Sequence, residues 1–222
     1  MEKEILESFF KNLNTDIKIE NLNYANGFEI FSQEKVDDVE EAKRKNIKKS
    51  SAKHRYFHYE KFETEKKGIA IYILFNPSNA TSDKDDTTVK SCREIAQNEG
   101  YGKMIIVNLF SERSTKSNLF NKSYMNNSVN NKTNTKFIEY LFQNIDLNSC
   151  TFIKAWGFAK NDAYTDIIEH IENLIPKNAT KKIIGIKEIA INMNHHPGCI
   201  KWIGGTKFAE LKDEFIPTEL DA

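Results

Sequence analysis

The sequence IAIYILFNPSNATSDKDD, at residues 69–86, predicts the centre of the fold. It begins with seven apolar residues without polar alternation, a pattern typical of a strand buried on both faces of a sheet. Pro77 ends that strand because it has no N–H to donate to a neighbouring strand. A polar loop then leads to Asp86 or Thr87, either of which can cap a helix over residues 86–99. In open α/β sheets, ligands bind in the crevice beyond such strand ends.

Apolar runs and amphipathic helices alternate along the rest of the chain. A strand at 103–108 follows the first helix, after a Gly-Tyr-Gly turn at 100–102, and this strand–helix–strand order predicts a parallel pair. The other predicted elements are a helix at 2–13, short β segments within 14–33, an antiparallel strand near the sheet edge at 55–59, a helix at 135–145, a strand at 151–156, a helix at 160–175, β segments at 183–186 and 189–191, and a short helix at 206–213. Together they predict a three-layer α/β/α fold with a central, mostly parallel sheet of about four or five strands.

Length and charge limit the class of protein. The 222 residues suit one α/β core domain at 55–222, with a helical and charged extension at 1–54 packed on it. Lys and Arg together number 32, as do Asp and Glu, so no global field attracts nucleic acid and a polyanion site must be a local patch. Basic residues are concentrated at 43–55, which we interpret as a solvated face, with a phosphate-contacting arm as the alternative.

Cysteine usage and hydropathy indicate a reduced, cytoplasmic protein with no membrane partner. Cys92, Cys150 and Cys199 are odd in number and widely spaced, without metal-type pairing. No apolar run has the length of a membrane span, and the amino end is an amphipathic helix rather than a signal peptide. We expect no cofactor and no metal. Three acidic residues, Asp83, Asp85 and Asp86, could bind a metal, but the dipole of the following helix favours acidic residues there in any case.

Distinctive polar or glycine-bearing elements follow the predicted strands. They are Asn76-Pro77-Ser78, Asn108-Leu109-Phe110, Trp156-Gly157 and the late segment His195-His196-Pro197-Gly198. Because the carboxyl ends of parallel strands lie on one edge of a sheet, we expect these residues to converge, although they are far apart in sequence.

These motifs, taken in order, resemble the bacterial family designated domain of unknown function 1643. The residues that carry the resemblance are Arg55-Tyr56, the FNPS strand end, DDTTV at 85–89, the Gly-Tyr-Gly turn, VNLF at 107–110, Arg113, Ala155-Trp156-Gly157 and His196-Pro197. They span roughly residues 55–200. The family designation itself supplies no activity.

The same order is similar, more weakly, to that of the uracil-DNA glycosylase superfamily, in which one strand end positions the attacking water, a later Asn reads the base and a late His stabilises the departing base. This resemblance implies a uracil-DNA glycosylase-like fold with Asn76 and His196 as catalytic residues. It also implies a substrate-binding set made of Pro77, Ser78, Asn108, Phe110, Arg113, Trp156 and Gly157. The chain departs from that pattern next to Phe75, where a bulky residue replaces the first glycine of the superfamily's motif, and at Gly198, where the superfamily has serine.

Two functions are compatible with these residues. The first is a glycosylase-like hydrolase that acts on a nucleobase N-glycosidic bond in a nucleotide or in DNA. An oriented water and a donor to the leaving base serve that chemistry, and the amide of Asn108 matches a pyrimidine's amide edge. The alternative is a non-catalytic nucleotide- or nucleic-acid-binding module on the same scaffold. In either case the expected partner is a nucleobase-containing ligand, with DNA as one form. Phe110 or Tyr101 could stack on the base or belong to the core.

Overall fold

The computed structural model describes residues 3–11, 17–32, 54–66, 68–78, 80–113, 129–157, 164–186, 196–197 and 209–213. The helices are α1 (Lys3–Lys11), α2 (Thr87–Asn98), α3 (Val129–Asn144) and α4 (Thr165–Leu174), with a 3-10 turn at Leu147–Ser149. The strands are β1 (Ile17–Asn21), β2 (Gly27–Ser32), β3 (His54–Lys61), β4 (Ile69–Leu74), β5 (Lys103–Asn108), β6 (Cys150–Lys154), β7 (Thr180–Ile186) and β8 (Ala209–Asp213). They form a single sheet in the order β1-β2-β3-β5-β4-β6-β7-β8.

The centre of the sheet is the predicted apolar strand. All six residues of β4 are buried, and β4 pairs in parallel with β5 on one side and with β6 on the other. The predicted parallel pair around α2 is therefore confirmed. β7 extends the parallel part of the sheet beyond β6. These four strands place the carboxyl ends of β4, β5 and β6 side by side.

The predicted fold class was wrong. The described sheet has eight strands, and four of its seven strand pairings are antiparallel. It is therefore not a three-layer α/β/α fold with a mostly parallel sheet of four or five strands, nor a uracil-DNA glycosylase-like one. The antiparallel pairings involve β1, β2 and β3 on one side of the sheet and β8 on the other. The short link between β1 and β2 is one physical reason, because neighbouring strands joined by a tight turn can pair only in antiparallel.

Two further predictions about elements were wrong. The strand predicted near the sheet edge at 55–59 is β3, which is antiparallel but lies third in the order, between β2 and β5. Residues 209–213, predicted as part of a helix, form β8, which pairs with the outer edge of β7. A short run of helix-forming residues is too weak a nucleus to hold a helix against the unpaired N–H and C=O groups of that edge. The β segment predicted at 189–191 lies outside the described residues.

Buried side chains form two clusters on the two faces of the sheet. Alternate residues of β4 point to opposite faces, so Ile71 belongs to one cluster and Tyr72 to the other. The first cluster includes side chains from α1, α3 and α4, and the second includes side chains from α2 and Leu211 of β8. α1 contributes Leu6 and Phe10 to the first cluster, so the amino-terminal residues share the core.

Local signals define both ends of α2. Asp86 has extended backbone angles and its side chain accepts from the amide of Val89, as an N-cap does. At the other end Gly100 has φ of 87°, and the amides of Gly100 and Tyr101 donate to the carbonyls of Gln97 and Ala96. That pair of bonds is a Schellman motif, in which glycine takes the left-handed position without steric cost.

The described helices include none with the length and apolar character of a membrane span. Cys92 and Cys150 are buried free thiols, and Cys199 lies outside the described residues.

Candidate functional site

The three strand ends remain side by side past the last residues of the strands. The amide of Leu109 donates to Leu74 O (2.8 Å), that of Phe110 to Phe75 O (3.0 Å), and that of Ala155 to Ile73 O (3.0 Å). The predicted site residues at 76–78, 108–110 and 155–157 therefore follow adjacent strands at one edge of the sheet. We call this region the strand-end site.

Asn108 is the most unusual residue of the strand-end site. Its side chain is completely buried, and neither Nδ2 nor Oδ1 has a hydrogen-bond partner. By the alternation of β5, Asn108 points to the same face as Met104 and Ile106, which is the face covered by α2. Its backbone carbonyl is held by Asn134, whose Nδ2 donates to it (2.8 Å). A buried amide without partners is costly, about 1–3 kcal/mol, so a polar ligand or an ordered water is expected to satisfy it.

The loop after β4 is organised by Asp86. This carboxylate accepts from the hydroxyl of Ser78, the amide of Ala80 (3.1 Å) and the amide of Val89 (3.0 Å). Burial by itself raises the pKa of Asp86, but the positive charge of Arg55 and these hydrogen bonds outweigh it and hold the pKa below its usual value. Ser78 therefore fixes the loop to the start of α2.

His196 meets the end of β6 at Gly157. Gly157 has φ of 84°, and a Cβ placed on it would lie 3.3 Å from the Cβ of His196. Burial lowers the pKa of His196, while the negative charge of Asp86 opposes that shift without cancelling it. The imidazole is therefore neutral near pH 7 and lies within electrostatic range of Asp86. Pro197 is buried beside it, and His195 and Gly198 lie outside the described residues.

Asn76 is partly buried and its Nδ2 donates to the carbonyl of Pro77 (2.8 Å), so the side chain folds back over its own turn. Pro77 itself is buried.

The aromatic site residues pack mainly as core. Phe110 is buried, and its ring centroid lies 5.2 Å from that of Phe75 and 5.7 Å from that of Tyr164. Trp156 is also buried, with Lys154 Nζ 5.7 Å from its ring centroid. Both belong to the first cluster, whereas Asn108 faces the second. Tyr101 packs against the second cluster near the opposite end of β5.

A group of buried and partly buried charged side chains lies on the α2 face, and half of its members were missed from the sequence. We call it the buried ionic cluster, and its members are Glu29, Arg55, His58, Glu60, Asp85, Asp86, Arg93 and Arg113. The missed members on strands are Glu29, His58 and Glu60. A signal was present, because His58 and Glu60 are two positions apart in an otherwise aromatic strand and therefore share a face.

One half of the buried ionic cluster is centred on Glu60. Arg93 donates to both of its oxygens (2.6 and 2.8 Å) and also to Asp85 Oδ2 (2.8 Å). His58 Nε2 donates to Glu60 Oε1 (2.8 Å), since an ionised carboxylate can only accept. Burial raises the pKa of Glu60, but the hydrogen bonds from Arg93 and His58 lower it further than burial raises it. Burial lowers the pKa of His58, whose Nδ1 has no partner.

The other half contains Arg113 and Arg55. Arg113 donates to Glu29 Oε2 (3.2 Å) and to the carbonyl of Ala80, and its Nε has no partner. Burial lowers the pKa of Arg113 to about 10, against the opposing charge of Glu29. Arg55 is 1% exposed, and both its Nε and its Nη1 lack a partner. Its charge lowers the pKa of Asp86 and also acts on Tyr24, whose buried hydroxyl is unpartnered as well.

Unsatisfied polar atoms are therefore concentrated on this face. Among the described residues, nine buried side-chain nitrogen or oxygen atoms lack a partner, and seven of them belong to five side chains. These five are Tyr24, Arg55, His58, Asn108 and Arg113. Native proteins leave few such groups unsatisfied, and a cluster of them points to a missing polar ligand or to ordered water.

The acidic residues before α2 are engaged with protein groups. Asp83 accepts from Asn23 Nδ2 (2.7 Å) and Asp85 pairs with Arg93. Within the ranges that the structure describes, no group of three or more His, Cys, Asp or Glu side chains could hold a metal ion.

Comparison with known proteins identifies the family. A family model described as "Protein of unknown function (DUF1643)" matches residues 55–197. The match covers more than half of the chain, so the chain belongs to this family. No curated protein and no solved structure matches the chain. Because the family description gives no activity, a function has to be argued from the residues of the site.

Proposed function

We propose that this member of the DUF1643 family binds a nucleobase-containing ligand at the strand-end site, with the side chain of Asn108 reading the base. The observation that carries the proposal is the buried Asn108 amide, which has an unpartnered donor and an unpartnered acceptor next to each other at the end of β5. A uracil, thymine or hypoxanthine edge presents a carbonyl oxygen beside an N–H. Such an edge satisfies both atoms of one carboxamide at once.

The strand ends supply the setting for this ligand. Asn108 is the last residue of β5 and lies at the edge of the sheet where the parallel strands end. In α/β sheets, ligands bind at the carboxyl ends of parallel strands. A bound base would supply the hydrogen-bond partners that the Asn108 amide lacks in the ligand-free protein. This removes the free-energy cost of the unsatisfied amide and so favours binding. Further unpartnered atoms on the same face, at His58 and Tyr24, are available to other polar groups of the ligand.

Calorimetric titration with uridine, thymidine, cytidine and inosine, as nucleosides and as 5′-monophosphates, tests the proposal. We expect binding by the wild type and a loss of tenfold or more in Asn108→Leu, because the base edge then meets an apolar side chain. The matched control is Asn144→Leu, since Asn144 is exposed on α3. Absence of binding to every compound by the wild type, or unchanged affinity in Asn108→Leu, would refute it.

Hydrolysis of an N-glycosidic bond is a second candidate, favoured by His196. A neutral imidazole can donate its N–H to the carbonyl of a departing base, and that interaction strengthens as negative charge develops there. In this proposal Asn76 orients the attacking water, and the hydrogen bond to Pro77 O fixes the Asn76 side chain. The order of the motifs along the chain supports the same chemistry. The alternative is that the site binds a nucleotide or nucleic acid without catalysis.

Release of free base decides between these two functions. Substrates are nucleosides, nucleotides and single- and double-stranded oligonucleotides that carry uracil, its oxidised or methylated relatives, or hypoxanthine. If the protein is a hydrolase, His196→Ala should lower turnover roughly a hundred- to a thousandfold and binding much less. Tight binding without release from any substrate would leave the non-catalytic function.

A further inference from the structure

We propose that Arg55 and Arg113 form a buried anion subsite that takes a phosphate group, so that the ligand of the strand-end site is a nucleotide. The assignment of the phosphate to a nucleotide rests on the function proposed above. The subsite itself rests on the two buried guanidinium groups and on those of their nitrogens that lack an acceptor.

The buried ionic cluster has three arginines and four carboxylates, so what it leaves over is hydrogen-bond donors and not positive charge. Each carboxylate has short-range partners. Glu60 and Asp85 pair with Arg93, and Glu29 pairs with Arg113. Asp86 accepts hydrogen bonds from a hydroxyl and two backbone amides. Arg55 makes neither a hydrogen bond nor an ion pair through Nε or Nη1, although it is 1% exposed. The charge of Arg55 acts on Asp86, but its Nε and Nη1 are buried donors that lack an acceptor, and a buried donor without an acceptor is unfavourable.

The second guanidinium strengthens this conclusion. The backbone bridge between His54 and Glu112 places the adjacent residues Arg55 and Arg113 beside each other. Two like charges held near each other in a buried region are unfavourable, and an anion bound to both converts that repulsion into attraction. Arg113 is already fixed by Glu29 and by the carbonyl of Ala80, which leaves its Nε as the free donor. Arg113 is therefore positioned before any anion binds.

The unpartnered donors fit a phosphate better than a carboxylate. Three N–H-bearing nitrogens on two separate side chains lack acceptors: Nε and Nη1 of Arg55 and Nε of Arg113. A phosphate has several oxygens that point in different directions and can accept from both arginines, whereas a carboxylate has two in one plane. The subsite is tied to the segment that follows Asn108, since the amide of Arg55 donates to Ser111 O (2.8 Å), three residues after Asn108.

An ordered water between Arg55 and Asp86 would also satisfy a guanidinium nitrogen, and phosphate titration separates the two cases. Thermal unfolding is followed in a non-coordinating buffer with sodium phosphate, and with sodium sulfate and sodium acetate at matched ionic strength. We expect a saturable rise of the midpoint with phosphate and a smaller one with acetate. Arg55→Met should weaken the apparent phosphate affinity tenfold or more, because it removes charge-assisted hydrogen bonds. Because phosphate and sulfate stabilise folded proteins in general, a water bridge alone predicts the same phosphate response in the wild type and in Arg55→Met.

The matched control is Lys90→Met, which removes one positive charge from an exposed residue of α2 and should keep the full phosphate response. If Arg55→Met does not fold, Arg55→Lys retains the charge beside Asp86 and should still bind phosphate more weakly than the wild type. No response to phosphate in the wild type, or an equal response in the folded Arg55 variants, would overturn the subsite.

Nucleotide titrations distinguish failure of the subsite from failure of the base-reading proposal. Uridine 5′-monophosphate should bind the wild type more tightly than either uridine or phosphate. Asn108→Leu should lose the contribution of the base and keep the phosphate response, whereas Arg55→Met should do the reverse. A phosphate response without any contribution from a base would leave the subsite and refute base reading. Equal affinity for uridine and its monophosphate would refute the assignment of a nucleotide.

Discussion

Single buried side chains in this protein carry polar atoms without a hydrogen-bond partner. These atoms are both ends of the Asn108 amide and the Nε and Nη1 of Arg55, and the fold bears the cost of burying them. Gly157 contributes in another way, because its positive φ and missing Cβ let His196 approach the end of β6. At the residue scale, the candidate site is therefore defined by buried polar atoms that have no hydrogen-bond partner among the described residues.

We predict that Asn108→Leu stabilises the ligand-free protein. Leucine has the same number and branching of side-chain heavy atoms as asparagine, and it removes two unpartnered polar atoms from a buried position. The free energy of unfolding should rise by about 1 kcal/mol, measured by urea denaturation. In contrast, Asn134→Leu should lower it, because Asn134 donates to the carbonyls of Asn108 and Leu109. A loss of stability in Asn108→Leu would show that its amide is needed for the fold.

Stability should fall as the pH drops below 6.5, with His58 as one cause. Burial holds the pKa of His58 below 6.5, its usual value in an unfolded chain. The unfolded state therefore binds more protons between pH 6.5 and the folded pKa, and stability is lost as the pH falls through that window. One such histidine contributes a slope of at most about 1.4 kcal/mol per pH unit. Burial also lowers the pKa of His196, so this histidine likewise reduces stability as the pH falls.

His58→Gln should reduce that slope, since glutamine keeps a donor for Glu60 and does not titrate. Urea denaturation between pH 5 and 8 measures it (roughly the range over which histidine titrates), with His170→Gln on the exposed part of α4 as the matched control. An identical slope in His58→Gln and the wild type would contradict the prediction.

Helix α2 is the element that joins the core to the site. Its apolar side packs in the second cluster through Val89, Cys92 and Ile95, and its first turn receives Asp86 as the cap. The cap carboxylate also holds the loop from β4 through Ser78 and Ala80. Movement of this one helix would displace the loop and the buried ionic cluster together.

Asp86→Ala should destabilise the protein by about 1–2 kcal/mol, because it removes an N-cap as well as the acceptor for Ser78 and Ala80. Asp86→Asn should cost less, since an amide oxygen can still accept from Val89. The pKa of Asp86 is depressed below 3.8, so its stabilising charge is present above that pH and lost as the pH falls through the folded pKa. Chemical denaturation at pH 7 compares the two variants, and equal losses would show that the charge matters more than the cap.

At the scale of the whole molecule, the amino-terminal residues complete the sheet. The family match begins at residue 55, yet β2 pairs along β3, and Glu29 of β2 is the carboxylate that pairs with Arg113. Phe10 of α1 packs on Tyr56 and Phe137, with ring centroids 5.5 and 4.8 Å apart. The region that matches the family therefore depends on partners that precede it.

We predict that a fragment of residues 54–222 does not form a stable native fold. It leaves the edge of β3 unpaired, exposes the surface that α1 covers and strands Arg113 as a buried charge without Glu29. Size-exclusion chromatography and near-ultraviolet circular dichroism should show association or loss of fixed tertiary packing. A monomeric fragment with a cooperative transition at the midpoint of the full chain would contradict this.

The strongest sequence predictions concerned features that neighbouring residues specify. The apolar run of β4, the cap at Asp86 and the left-handed Gly100 follow from contacts a few residues apart, and the structure confirms them. The parallel pairing of β4 with β5 followed from a strand–helix–strand order. These features are set by local hydrogen bonding, backbone sterics and the burial that a long apolar run requires.

Only the tertiary structure decided the edges of the sheet and the polar interior. Residues 209–213 have helical propensity, but pairing with β7 makes them a strand, and β1 and β2 turn the sheet from mostly parallel to mixed. In the same way, Arg55, His58 and Glu60 look like surface residues of an edge strand until β2 and β5 enclose β3. Strand pairing joins residues far apart in sequence, and burial of a charge depends on which partners that pairing supplies. The sequence by itself therefore determined the central strands and the order of the strand-end motifs, and the fold decided which polar atoms were left without a partner.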